Sequence, residues 1–357
     1  MRIRRLVSLA FMMLLPSYGF AQGLENQLQS VRILYEEGRL IELGATSYNA
    51  TLKGTEDGIP TGDVSGGQGV IQLSYKQDLT DRLAFAIIAD AIENGDIRYP
   101  GGTGVTLAGT HARVTSAGVS ALLRYRFDNN FSIFGGIRAD RFKFDVSSPV
   151  AGYALNADAS AGIGYVIGAA YEIPEYHARF TLTYNSKIKQ DFSGTEAVGG
   201  GPDESSSFSS DLPEALKFEF QFGVSENMLL FGSAAWRNWK EFRVAPPGFE
   251  ASFDEALIEA SENTISYELG ITRLINENWA LSAIYYHTPD ESGPLDDLEP
   301  ASGEDGLALA VTYTKGPMTI EGGIAYYKLG GGTTELIGTE FRDNKAIEFG
   351  LGVSYSF

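Results

Sequence analysis

Phe249, Phe253, Leu257 and Ile258 recur at helical spacing among Glu250, Asp254, Glu255 and Glu259. Such a stripe makes one face of a short helix apolar. An apolar face in an acidic segment suits the capture of an acyl or hydrocarbon chain; it also suits packing of the segment onto its neighbours. A second group is cationic. Arg124, Arg126, Arg138 and Lys217 sit in alternating runs, where each could pair with a substrate carboxylate. Asp140, Glu219, Glu268, Glu321 and Glu348 hold equivalent places in other runs, so a structural ion-pair network competes with that role. A third group is the acidic segment 290–305, with Asp290, Glu291, Asp296, Asp297, Glu299, Glu304 and Asp305. Divalent cations that bridge lipopolysaccharide are one use for it, but the spacing fits no EF-hand and a solvated loop accounts for it.

Catalysis finds little support. The chain has three histidines, His111, His177 and His287, none in a metal-ligand spacing, and no nucleophile stands in a local signature with a base. There is no cysteine, which removes disulfide scaffolds, Cys-ligated zinc and iron–sulfur clusters. Neither a cofactor nor a resident metal is called for. The formal charge of -19 argues against a nucleic-acid partner, which phosphate neutralisation by basic groups would hold.

The elements that must position these groups begin after a leader. Arg2, Arg4 and Arg5 precede the apolar run 6–15, and Gly19-Phe20-Ala21 offers small residues for signal peptidase, so residues 1–21 read as an export signal. The run is too short for a spanning helix, which needs about 20 apolar residues. Removing it takes three arginines and no acid, which moves the charge from -19 to -22. The remaining 22–357 contain no helical span. The chain as a whole is rich in glycine, with 42 copies beside 18 Tyr and 21 Phe, a composition of many strands.

Period-two alternation identifies those strands. Ile347, Phe349, Leu351, Val353, Tyr355 and Phe357 alternate with Glu348, Gly350, Gly352, Ser354 and Ser356, and Leu216 to Val224 and Val119 to Phe127 do the same. Apolar residues on one face with charges and glycine on the other is the lipid-out, lumen-in pattern of a transmembrane barrel. Fourteen strands follow, at about 39–53, 67–78, 82–92, 111–127, 131–146, 158–173, 176–191, 212–224, 228–244, 263–275, 279–289, 305–315, 317–329 and 344–357. Their connections alternate between tight turns and loops. Aromatics including Phe127, Phe131, Tyr171, Tyr176, Trp279 and Tyr355 lie beside the tight turns, as an interfacial girdle does. The fold class is therefore all-β, a transmembrane antiparallel barrel over 39–357 with a short plug-like segment at 22–38.

The stretch 184–194 (Tyr-Asn-Ser-Lys-Ile-Lys-Gln-Asp-Phe-Ser-Gly), Leu212-Pro213-Glu214 opening the next strand, and 236–242 (Trp-Arg-Asn-Trp-Lys-Glu-Phe) resemble the outer-membrane long-chain fatty-acid and hydrocarbon transporter family, the FadL-like proteins. The resemblance implies capture of hydrophobic molecules among the outer loops, transfer to a lumenal pocket, and release past a plug or through the wall. One departure is clear: the family's longer N-terminal hatch carries an Asn-Pro-Ala motif, absent here. On this basis the substrate-binding candidates are Phe249, Phe253, Leu257, Ile258, Arg124, Arg138 and Lys217. The expected function is uptake of long-chain fatty acids or related hydrophobic molecules. A general diffusion porin or a structural barrel is the alternative. Outer-membrane lipid and lipopolysaccharide are the surrounding partners, in the outer membrane of a Gram-negative bacterium, and a monomer is the simplest assembly. The inward glycines Gly136, Gly223, Gly270, Gly323, Gly350 and Gly352 are expected to leave room for a ligand or for the plug.

Overall fold

A computed structural model describes residues 28–260, 262–290 and 292–357, the side chains of 93 and 94 excepted. The export signal and the start of the plug lie outside the described residues.

Fourteen antiparallel strands close into one barrel. They are β1 (Arg39–Thr51), β2 (Gln68–Asp78), β3 (Leu83–Arg98), β4 (His111–Arg126), β5 (Phe131–Ser148), β6 (Tyr153–Ala159, then Gly162–Ile173) and β7 (Ala178–Asn185, then Ile188–Ala197). There follow β8 (Glu204–Leu212, then Ala215–Ser225), β9 (Met228–Arg237), β10 (Thr264–Leu274), β11 (Trp279–Thr288), β12 (Ser302–Lys315), β13 (Met318–Gly330) and β14 (Lys345–Ser356). Each pairs with its neighbour in sequence, and β1 meets β14 from Leu40↔Ser356 to Thr51↔Lys345, so no edge is left open.

Alternation sorts the faces as the sequence leads one to expect. Ile137 is 62% exposed and Phe349 53%, whereas their neighbours Arg138 and Glu348 are 6% and 0% exposed. The exposed faces form the apolar belt of a membrane barrel, because lipid, not water, must solvate them. Among the described residues no helix is long and apolar enough to cross a membrane.

The strands outrun the expected limits at the loop end. The β3 strand continues to Arg98, and β7 and β8 extend as a hairpin with Phe192 opposite Phe208, where a loop was expected. The outward residues there are Ser and Thr, which give no apolar contrast for a period-two reading once a hairpin leaves lipid. The β9 strand falls short, ending at Arg237, because Trp239–Glu241 turns as a 3-10 helix and buries Trp239. Three adjacent strands, β6, β7 and β8, are each interrupted once, at 160–161, 186–187 and 213–214. Pro213 has no N–H to give to a ladder, which accounts for the last of these.

Inside the barrel, a 3-10 helix at Val31–Tyr35 packs Val31, Ile33 and Leu34 against Ala86, Ile88, Leu122, Phe134 and Val166. Above the membrane the loops form two further cores. Tyr48, Leu52, Tyr99, Tyr327 and Phe341 belong to one, covered by a four-stranded sheet from Lys53–Glu56, Ile59–Asp63, Gly332–Thr333 and Glu340–Phe341. Phe144, Phe192, Trp239, Phe242, Leu257 and Ile258 belong to the other.

Candidate functional site

The long connection between β9 and β10 carries the apolar stripe. Pro247 starts a short helix, α1 (Pro247–Phe253), in the position where its missing N–H costs nothing. Asp254 ends it in a left-handed conformation, φ 58°, with its N–H on the Glu250 carbonyl at 2.9 Å. The Glu196 carboxylate of β7 receives the first free amides: Phe249 N at 2.7 Å and Gly248 N at 2.9 Å. Tyr153 and Ser206 donate their hydroxyls to the same carboxylate at 3.1 and 2.9 Å. A side chain at 248 would lie 2.8 Å from the Glu196 carboxyl carbon, so glycine permits this approach.

Anchored this way, Phe249 meets Tyr153 edge to face at 4.9 Å and Phe253 at 4.6 Å. These rings and Leu257 line a cavity of about 950 Å³ between the β9–β10 loop, the top of β5 and β6, and the loops after β11 and β13. Leu295, Leu298, Leu336 and Ile337 extend its apolar lining. Ile258 is not among the lining residues; it pairs with Val244 and is buried in the loop core. The helix carries only Phe249 and Phe253 of the expected stripe: it ends at Phe253, Leu257 reaches the cavity from the loop beyond, its N–H on the Val244 carbonyl, and Ile258 enters a two-residue strand.

The acidic segment contributes Asp296, Asp297 and Glu299 to the same wall. Desolvation pushes the Asp296 carboxyl up to about 7; the Leu298 N–H opposes this, and the Asp297 and Glu335 charges add to it. Burial likewise raises Asp297. Among the described residues no grouping of three or more acids and histidines has the geometry to hold a metal ion.

The lumenal cations are committed to protein partners. Arg138 grips Asp140 with two bonds, at 2.6 and 3.0 Å. Lys217 stands 3.4 Å from Glu219, and Arg124 lies 4.0 Å from Glu172 and over the ring of Tyr35 at 4.6 Å. Arg126, which alternation placed inward, is exposed at the tight-turn rim and donates to the Asp81 carbonyl. At the strand end no partner wall remains to enclose it.

The plug uses the same charges. Arg32 reaches Glu219 at 3.2 Å and Glu268 at 3.5 Å, Gln29 donates to Asp90, and the Tyr35 ring sits between Arg124 and Arg179. The space left among Arg32, Tyr35, Arg179, Glu219 and Phe231 is only about 10 Å³. Gly270 belongs to this packing, since a Cβ there would fall 2.1 Å from the Phe231 ring. The expectation that Gly270 leaves room for a ligand is therefore corrected: the room is taken by an aromatic ring of the neighbouring strand.

Motifs at 184–194, 212–214 and 236–242 converge where β7 and β8 are interrupted. The Tyr184 hydroxyl donates to Glu214 at 2.6 Å, Asn238 N donates to the Glu214 carbonyl, and Lys187 bridges Asp211 at 3.2 Å and Glu241 at 2.8 Å. They hold the start of the β9–β10 loop, and so the base of α1, to the wall. Sequence reading missed Tyr153, Glu196 and Leu336. The signal for Leu336 and Ile337 was an apolar pair in an otherwise polar loop; Glu196 gave none, since its role depends on an amide pair 52 residues away.

No family model and no curated protein matches the chain. Solved structures do. A FadL homologue of Pseudomonas aeruginosa superposes with a TM-score of 0.74 at 15% identity, covering 91% of this chain and 92% of that one. The toluene transporter TodX of Pseudomonas putida gives 0.68 at 14% identity, covering 96% and 99%. TbuX, the toluene transporter of Ralstonia pickettii, gives 0.65 at 12%, covering 91% of each. At these identities the likeness establishes architecture, and the chain has the barrel fold that a FadL homologue and two toluene transporters share.

Proposed function

We propose that this protein is an outer-membrane transporter for the uptake of hydrophobic small molecules, in the class that includes long-chain fatty acids and hydrocarbons, and that it works in a Gram-negative bacterium. One observation carries the reading: an outer cavity of about 950 Å³ with an apolar-rich lining stands above a lumen into which the Val31–Tyr35 helix packs, the pocket it leaves beside Arg32 and Phe231 measuring about 10 Å³. A cavity of that volume suits a small organic ligand. A plug packed inside the barrel opposes free diffusion of water-soluble solutes, which needs an open, charged constriction. The neighbours in fold, one a FadL homologue and others toluene transporters, support the same class.

The steps follow from the geometry. Phe249, Phe253 and Leu257 take the molecule from the outer surface by burying its apolar area. Transfer inward then requires displacement of the plug, whose links to the wall are the Arg32, Gln29 and Tyr35 contacts. Planar-bilayer conductance beside an alkane and fatty-acid uptake assay in a deletion strain tests the proposal. Small or no conductance with an uptake defect is expected; large stable open channels without an uptake defect would overturn it in favour of a porin.

A further inference from the structure

The outer cavity has an apolar floor but an acidic wall. Asp254, Glu255 and Glu259 line it from the β9–β10 loop, Asp296, Asp297 and Glu299 from the loop after β11, and Glu335 from the loop after β13. Among the described residues that line it, Lys240 and Arg243 are the cations that stand against these. Arg243 is already engaged, with Nη2 2.9 Å from Glu250 and Nε 3.3 Å from Glu259.

Asp297 is the residue that points to a ligand. It is 6% exposed. Its carboxylate is bonded by the Leu336 amide, at 3.2 Å from Oδ2, and by Thr334 and the Ile337 amide, while its Oδ1 is buried without a donor of its own. A buried carboxylate oxygen without a donor is costly, and a donor brought by a ligand removes that cost. Across the same cavity Phe249 and Phe253 supply aromatic rings, which attract cations as well as apolar groups.

We propose that this cavity captures hydrophobic molecules carrying a positively charged nitrogen, and disfavours carboxylate-headed amphiphiles with the same tail. The inference rests on the reading of the cavity as the capture site. The apolar lining holds the tail of any such molecule. The head then meets seven acidic side chains, of which Asp296 is partly protonated near neutral pH; the ionised ones repel an anion and offer an ammonium group a favourable field, and Asp297 adds an acceptor oxygen without a donor. A neutral alcohol falls between, able to donate one hydrogen bond but indifferent to the field.

Three probes with one tail separate the terms: octylammonium, octan-1-ol and octanoate, titrated calorimetrically into the full-length barrel in a nonionic detergent at low salt. Octylammonium is expected to bind about tenfold more tightly than octanol, and octanol more tightly than octanoate, with the spread narrowing at high salt. Asp297→Asn should bring octylammonium to within about threefold of octanol while leaving octanol unchanged. Because Asp297 also accepts from Leu336, a second variant avoids that contact: Asp254→Asn with Glu255→Gln at the exposed rim, where asparagine tolerates the left-handed conformation of 254. It should narrow the same preference. Octanoate binding as tightly as octylammonium, or a preference unchanged in both variants, overturns the inference and leaves hydrophobic capture standing. Absence of binding by all three probes overturns the capture reading itself.

Discussion

Glu196 holds the amide of Phe249 at 2.7 Å, so a carboxylate in a barrel strand fixes the position of a ring in an outer loop. The same carboxylate takes Gly248 N and the Tyr153 hydroxyl, the latter on the residue against which Phe249 packs. Helix, ring pair and cavity wall are thereby one unit. Glu196→Ala should loosen residues 244–260 by roughly 2 kcal/mol, since hydrogen bonds to a charged acceptor are lost at a helix start. Hydrogen exchange would report faster opening of that segment. Heat-modifiability of the barrel should not change, because the ladder between β7 and β8 does not depend on this side chain.

Phe253 is 42% exposed at the cavity edge. Phe253→Ala should weaken binding of an uncharged alkyl probe by about ten- to thirtyfold, on the scale of roughly 1.5–2 kcal/mol for the buried ring area lost. Ile258→Val, in the loop core and away from the lining, should leave that affinity within about twofold and cost about 1 kcal/mol of loop stability. Equal loss of affinity in both variants would show that the stripe acts through loop folding alone.

Arg32 joins the plug to two strands through Glu219 and Glu268. Arg32→Ala leaves both carboxylates enclosed without that partner, a change worth about 3–5 kcal/mol for buried pairs. The plug should then leave the lumen more often, and single-channel recordings should show frequent openings that the unmodified protein lacks. If conductance stays at the unmodified level, the 28–38 segment is held without Arg32, by its Val31, Ile33 and Leu34 packing and its Gln29 and Tyr35 contacts.

Gly270 and Phe231 are a matched pair across β9 and β10. Gly270→Leu pushes the ring toward Arg32, whose guanidinium carbon lies 5.9 Å from its centroid, and should impair assembly of the barrel together with any effect on transport. Adding Phe231→Ala should recover assembly by opening the space the leucine needs. A double variant that assembles no better than Gly270→Leu would refute the pairing.

Asp296 gives the outer loops a pH dependence. Its folded carboxyl titrates at about 7, above its ordinary value of 3.8, so the folded loop holds a proton that the unfolded chain releases. Stability linked to this group is fully present below about 4 and declines as pH rises through 7. Asp297 and Glu335 add repulsion to desolvation, and the Leu298 amide opposes both. Protection of residues 292–301 against hydrogen exchange, corrected for intrinsic rates, should be greater at pH 5.5 than at pH 8. Asp296→Asn should remove most of the difference.

Alternation alone determined the barrel. Each strand in lipid must put apolar residues outward and may keep Glu348, Glu321 or Arg138 inward, and that contrast is written in every second residue. The tight turns were equally legible, since Asn130 and Gly316 take positive φ where Asn and Gly are favoured. What the sequence did not contain was the reach of the strands beyond the membrane, where Ser and Thr alternate with no apolar contrast. Nor did it contain the partners of the inward charges. Arg138 to Asp140 is a two-residue relation readable in a strand, but Arg32 to Glu219 and Glu196 to Phe249 join segments far apart in the chain. The helical stripe announced a surface; only the folding together of five loops decided that Asp297 and Leu336 line the same cavity as Phe253. Periodicity records which way a residue points relative to its own backbone. The residue it meets depends on barrel closure and loop packing, which no local pattern encodes.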